Sequence, residues 1–148
     1  MGYSDSDWAM SDDRRSISGY AFKLCDESSL ISWKSKKQSI VALSSCEAEY
    51  VALATATQEA KFLRQLLPDL LCLPCKKACM DVDNQGAIAL ANNPVHHKRS
   101  KHVDVKYHYV RLEIQNGAVS LTYVPTDNNV ADVFTKPVTR VKLDRLLS

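Results

Sequence analysis

No apolar run in this chain approaches the ~18 residues that a membrane-spanning helix needs, which excludes such a span. The N-terminus has no basic flank leading into an apolar core, so no secretory signal is expected. Long linkers, internal repeats and low-complexity tracts are also missing. The 148 residues are therefore expected to form one domain over 1–148, large enough to bury roughly 70% of the surface its unfolded chain would expose. With 45% hydrophobic and 24% charged residues, the composition is that of an ordinary soluble globular domain. The cysteines number five, and an odd count without an export signal argues for reduced thiols inside a cell. Cys72, Cys75 and Cys79 are spaced C-x2-C-x3-C but lack a fourth ligand, so zinc is not expected, and Cys79 reads as a buried strand residue.

A net charge of +2 says little by itself, but its distribution is uneven. Residues 96–111, "HHKRSKHVDVKYHYVR", carry Lys98, Arg99, Lys101, Lys106 and Arg111 against the single Asp104. All four histidines fall in the same window. Such a segment is either a solvated face or a patch that contacts phosphates.

The first third reads as three strands. "MGYSDSDWA" precedes a charged turn, and "ISGYAFKLC" and "SLISWKS" bracket a short polar one, as in a β-meander. "SSCEAEYVALATATQEAKFLRQLL" is the strongest helix, with Ser44 and Glu47 forming a capping box and Pro68 expected to end it. A short strand, "KACMDVD", runs into the helix "NQGAIALAN", stopped at Asn93-Pro94. A further helix, "VDVKYHYVRLEIQ", closes at Asn116-Gly117; "AVSLTYV" alternates like a strand, and a last helix is expected from about Val130. The order βββαβααβα implies a mixed α/β sheet whose later strands are joined by helices.

In such sheets sites lie at the carboxyl ends of strands. Asp83 ends its strand, Asp5 lies in the first strand, Glu49 in the first turns of the long helix and Asp132 in the first turn of the last helix. Each has a local alternative: Asp83 as a helix cap, Asp132 as a partner for a helix dipole, Glu49 as a solvated residue. Taken together they would suit hard divalent cations, which prefer oxygen ligands and offset the repulsion of clustered carboxylates. Asp7 shares a strand face with Asp5 but lies nearer the strand end.

"GYSDSDWA", "DDRRSISGYAF", "SWKSKKQSIVALSSCEAEYVAL", "DNQGAIALANNP", "KHVDVKYHYVR" and "YVPTDNNVADVFTKP" follow one another in an order that resembles the ribonuclease H domain of copia-type (Ty1-like) retrotransposon Pol polyproteins. The resemblance runs from about residue 2 to residue 147. It implies a ribonuclease H fold, with a five-stranded mixed sheet and helices on both faces. It also implies hydrolysis of the RNA strand of RNA/DNA hybrids by two Mg²⁺ ions, or Mn²⁺ in their place, leaving 5′-phosphate and 3′-hydroxyl ends. By motif the metal ligands are Asp5, Glu49, Asp83 and Asp132, with Glu47 assigned to the capping box and Asp81 left out. Ser45 and Cys46 match positions that touch the minor groove in relatives, and Gln85, two residues after Asp83, is another candidate contact. The family further implies an upstream reverse transcriptase in the same polyprotein, and an intracellular setting in a cytoplasmic particle or the nucleus.

Two departures stand out. The loop "VPTDNN" lacks the histidine that many cellular ribonucleases H carry before the last aspartate. The extra basic helical protrusion of many relatives is also missing, and Lys98, Arg99 and Lys101 are the candidates to replace it. Two other readings remain: a catalytically silent nucleic-acid-binding scaffold, and another enzyme on the same fold such as an integrase. The four acids argue against the first. Glu49 on a helix between the third and fourth strands argues against the second.

Overall fold

The computed structural model describes residues 1–9, 12–25, 29–72, 77–93 and 101–147, with the side chains of 101–103 excepted. Alternation builds β1 (Gly2–Asp7), β2 (Ile17–Lys23) and β3 (Leu30–Lys37) as an antiparallel meander. β4 (Ala78–Val82) and β5 (Val119–Tyr123) then add in parallel on the other side of β1, giving the order β3-β2-β1-β4-β5. This is the expected five-stranded mixed sheet.

Side chains of alternate parity face opposite layers. Tyr20, Phe22, Met80 and Val119 point toward α1 (Ser45–Leu71), where they meet Ala56, Ala60 and Leu63. α2 (Gln85–Asn92) and α3 (Lys101–Gln115) complete this layer around Tyr50, Leu53, Val82 and Val110. The opposite face is covered by the 3-10 segment Val130–Phe134 and α4 (Arg140–Leu147), through Tyr3, Ala21, Ala131 and Leu146. That cover packs on β1 and β2. Cys79, whose side chain shares the outward parity of β4, is therefore exposed rather than buried as expected. Cys75 lies outside the described residues.

α1 begins as expected: Ser44 Oγ accepts from the Glu47 N–H at 3.2 Å. The Glu47 carboxylate reaches back to the N–H of Leu43 at 2.8 Å, one residue before the cap. The helix does not stop at Pro68 but runs on to Leu71, where Cys72 adopts a left-handed φ of 53°. Proline in a last turn removes one hydrogen bond without a long helical stretch to disrupt. The expected final helix is likewise divided. Pro137 interrupts it, since proline restricts the residue before it and lacks an N–H. The 3-10 segment ends at Phe134 and α4 starts only at Arg140, after Thr139. α3 closes at Gly117 (φ 68°), as the Asn-Gly signal implied, but starts two residues before Val103.

Candidate metal centre and active site

β1 and β4 run parallel at the centre of the sheet, with Tyr3 opposite Asp81 and Ser4 opposite Val82. Their carboxyl ends therefore lie side by side, which brings Asp5 of β1 close to Asp83, the first residue after β4. α1 packs across β1 and delivers Glu49 from its second turn. Asp5, Glu49 and Asp83 each offer an oxygen within 4.8 Å of the others. Asp83 is not a helix cap: Asn84 takes that place, its Oδ1 accepting from the Ala87 N–H at 2.9 Å. Glu47 is occupied at the start of α1, so Glu49 alone of the two glutamates faces the cluster.

Burial makes this grouping costly. Asp5 is 1% exposed and Glu49 6%. The main-chain N–H of Ser6 donates to Glu49 Oε1 at 3.1 Å, but Oε2 is buried without a hydrogen-bond partner among the described residues. Loss of solvent pushes the Asp5 carboxyl up to about 7, with the Asp132 and Asp83 charges adding to the rise and Thr135 and Lys136 opposing it. Glu49 is raised well above the usual carboxylate range by burial first, then by Asp5 and Asp83. Such a site favours either protons or a cation.

Asp132 is fully buried but falls outside the three-carboxylate group. Two ammonium groups hold it: Lys136 Nζ lies 2.8 Å from Oδ1 and Lys142 Nζ 2.6 Å from Oδ2. Lys136 also lies 3.9 Å from Asp5 Oδ2, so it bridges the two aspartates. The Thr135 hydroxyl donates to that same Asp5 oxygen. Burial alone would lower the Lys136 pKa, but the Asp132, Asp5 and Asp83 carboxylates outweigh it and keep the ammonium charged. Thr135, Lys136 and Lys142 were not singled out in the sequence. The spacing of Lys136 four residues after Asp132 was the available signal, whereas Lys142 arrives only because the chain turns back after Pro137.

Asn129 fixes this segment from below. Its Oδ1 accepts from the Ala131 N–H at 3.1 Å, and its Nδ2 donates to the Ser4 carbonyl at 2.9 Å. Ser45 and Cys46 in the first turn of α1 and Gln85 in the first turn of α2 lie at neighbouring helix starts, close enough that a Cβ at Gly86 would meet Cys46 Sγ at 3.3 Å. Ser45 and Gln85 are exposed. Asp7 is half-buried and its Oδ1 has no hydrogen-bond partner among the described residues. Lys98 and Arg99 lie outside the described residues, and Lys101 opens α3.

No family model matches the chain. The retrovirus-related Pol polyprotein from transposon RE1 of Arabidopsis thaliana is 40% identical over 147 residues, which is 99% of this chain. The chain belongs to the copia-type Pol polyproteins. It spans about 10% of the length of that relative. Two solved structures place the fold of this Pol segment. LC11-RNase H1 in complex with an RNA/DNA hybrid superposes with a TM-score of 0.63 at 14% identity, covering 99% of this chain and 98% of that one. The foamy viral protease-reverse transcriptase in complex with an RNA/DNA hybrid gives 0.65 at 15% identity, covering 90% of this chain and 19% of that one. The copia-type Pol segment thus has the ribonuclease H fold, with its acidic cluster at the carboxyl ends of the two central strands.

Proposed function

We propose that this domain is a divalent-metal-dependent endonuclease that cleaves the RNA strand of RNA/DNA hybrids during reverse transcription of its element. The observation that carries the reading is the Glu49 Oε2 oxygen, buried and unpartnered beside Asp5 and Asp83. A buried carboxylate without a partner is expensive, and hard cations such as Mg²⁺ or Mn²⁺ accept that kind of donor set. Asp5, Glu49 and Asp83 would hold one ion. Asp132, beside Asp5 through Lys136, would complete a second with Asp5. When bound, two such ions lower the pKa of an attacking water and stabilise the departing oxygen.

The chain's own groups supply positioning. Thr135 and Lys136 fix the Asp5 carboxylate, and the Ser6 N–H orients Glu49 through one oxygen while leaving the other open. Asn129 ties the segment carrying Asp132 to β1. Water adds to phosphorus and the bond to the 3′ oxygen breaks, giving 5′-phosphate and 3′-hydroxyl ends. Ser45, Cys46 and Gln85, on the rim beside the acids, suit minor-groove contacts, where 2′-hydroxyls distinguish RNA. Lys98, Arg99 and Lys101 add phosphate contacts. The hybrids bound by LC11-RNase H1 and the foamy viral enzyme support this substrate. The match to part of the latter supports a reverse transcriptase as partner in the same polyprotein; the setting we propose is a cytoplasmic particle or the nucleus. No helix among the described residues is long and apolar enough to cross a membrane.

The deciding experiment is cleavage of a labelled RNA/DNA hybrid in Mg²⁺ by the wild type and by Asp83→Asn. Loss of a supporting group near a metal typically costs 10–100-fold, so loss of a ligand should leave below about 1% of the rate. A variant that still cleaves at the wild-type rate sinks the site. A folded wild type that binds hybrid without cutting it favours the silent scaffold.

A further inference from the structure

Away from the acids, a polar cavity of about 200 Å³ opens between β3 and α1, lined by Lys34, Lys36, Thr55, Gln58 and Lys106. A second cavity of about 190 Å³ shares Thr55, Gln58 and Lys106 and continues the groove between α1 and α3. The strand register explains the first lining. Lys36 lies opposite Ser18 and Lys34 opposite Tyr20, so both point to the α1 side of the sheet.

Among the described residues the positive charge here has no ion-pair partner. Lys37, on the opposite parity, is paired with Asp13 at 3.1 Å. Glu59, next to Gln58 on α1, accepts from Ser32 at 2.7 Å and interacts with Tyr20. Among the described residues no ion pair engages Lys34, Lys36 or Lys106. Lys106 is half-buried, and loss of solvent lowers its pKa with no carboxylate to oppose it. The Thr55 hydroxyl donates to the Val51 carbonyl at 3.1 Å, so a desolvated ammonium beside two free ones and the Gln58 amide is what the groove offers an anion.

We infer that the groove lined by Lys34, Lys36, Lys106, Thr55 and Gln58 binds the sugar–phosphate backbone of the hybrid at a point separate from the scissile phosphate. The inference rests on the hybrid-nuclease reading above. Thr55 follows Glu49 by six residues on α1, about 9 Å along the helix axis, so the groove meets a different stretch of backbone from the one at the acids. Gln38 ties the two regions, its amide donating to the Ala48 carbonyl at 3.0 Å and to Ser18 Oγ at 2.8 Å. The groove thereby provides, from three elements of the fold itself, the grip that a basic protrusion provides elsewhere.

The test is hybrid binding by fluorescence anisotropy without divalent cation, over a range of salt, for wild type and for Lys34→Gln/Lys36→Gln/Lys106→Gln. The triple variant should bind about tenfold or more weakly, with the slope of log affinity against log salt reduced by roughly 2–3. The loss should be the same for hybrids of different sequence, because phosphates carry none. The corresponding triple arginine variant should keep both affinity and slope. Single-turnover cleavage in Mg²⁺ should need more enzyme for half-saturation but reach the same maximal rate. Unchanged affinity and slope in the glutamine variant, while wild type cleaves and Asp83→Asn does not, overturns the groove and leaves the nuclease standing. A folded wild type that neither binds nor cleaves hybrid overturns both.

Discussion

The Lys136 ammonium lies 2.8 Å from Oδ1 of Asp132, one helical turn earlier in the chain, and reaches Asp5 at 3.9 Å. It is a built-in cation between two buried aspartates that would otherwise repel. A divalent ion bound at these carboxylates would compete with this ammonium for them.

Replacing Lys136 with methionine removes that competitor. The metal-free domain should lose about 1–3 kcal/mol of stability, less than for a fully buried pair because Lys136 is partly solvated. Added Mg²⁺ should raise the unfolding temperature of Lys136→Met by more than it raises that of the wild type. An equal rise in both, measured by thermal melts, would show that the lysine and the ion do not share ligands.

The acidic cluster also sets a pH dependence. Asp5 in the folded domain titrates near 7, whereas an unfolded aspartate titrates near ~3.9. Between those values the folded state holds a proton that the unfolded state has released. Metal-free stability should therefore fall as pH rises from about 4 to about 7 and level off above, by a few kcal/mol at most. Glu49, raised in the same direction, adds to the fall. Saturating Mg²⁺ should flatten the profile, because a cation favours the charged forms. Glu49→Gln should raise metal-free stability at neutral pH and weaken divalent binding, as followed by urea unfolding and calorimetry. A metal-free domain whose stability climbs over this window contradicts the charge balance described.

Gly19→Ala tests how tightly the 3-10 segment is seated on β2. An added Cβ would meet Thr135 Cγ2 at 2.7 Å, the Ala131 carbonyl oxygen at 3.0 Å and Phe134 Cβ at 3.0 Å. The segment must shift, at a cost of about 1–3 kcal/mol. Cleavage should fall further than stability does, to a few per cent or less, since displacements near 1 Å at a site cost about 10²-fold. Rates compared well below the melting temperature check this. Full activity in the folded variant would mean that Thr135 and Lys136 tolerate the shift.

Asn129→Ala cuts the link between this segment and β1, leaving the Ser4 carbonyl and the Ala131 N–H without their partner. Two buried backbone groups left unsatisfied should cost about 2–4 kcal/mol, or roughly 5–12 °C for a chain of this size. Asn129→Asp keeps the oxygen for Ala131 but loses the donor to Ser4, so it should also be destabilising. A melting temperature within a degree or two of wild type in both would show that the tether is dispensable.

Local chemistry in the sequence determined much of the fold. Alternation marked the five strands, the Ser44–Glu47 cap began α1, and Asn116-Gly117 closed α3. These signals act over a few residues and so are legible in one dimension. The two prolines show where local rules stop. Pro68 and Pro137 carry the same restriction, but only the second divides a helix, because Pro68 falls in a final turn and Pro137 falls where the chain turns back to lay α4 beside the 3-10 segment on the same face of the sheet. Cys79 shows the same boundary from the side of burial: its strand was foreseen, its exposure was not, since the cover on that face packs on β1 and β2.

The acids themselves were legible as types at element ends, and their order matched a family. What the tertiary structure decided was their company. Asp5, Glu49 and Asp83 meet because β1 and β4 are parallel neighbours and α1 crosses them. Asp132 takes two lysines, one local and one returned by the turn after Pro137. Lys34, Lys36 and Lys106 line one groove although the last is some 70 residues from the others. The sequence by itself determined which charges exist and which strand or helix carries each. Only folding decided which charges are neutralised and which are left without a partner, because electrostatic energy depends on distance and burial rather than on order along the chain.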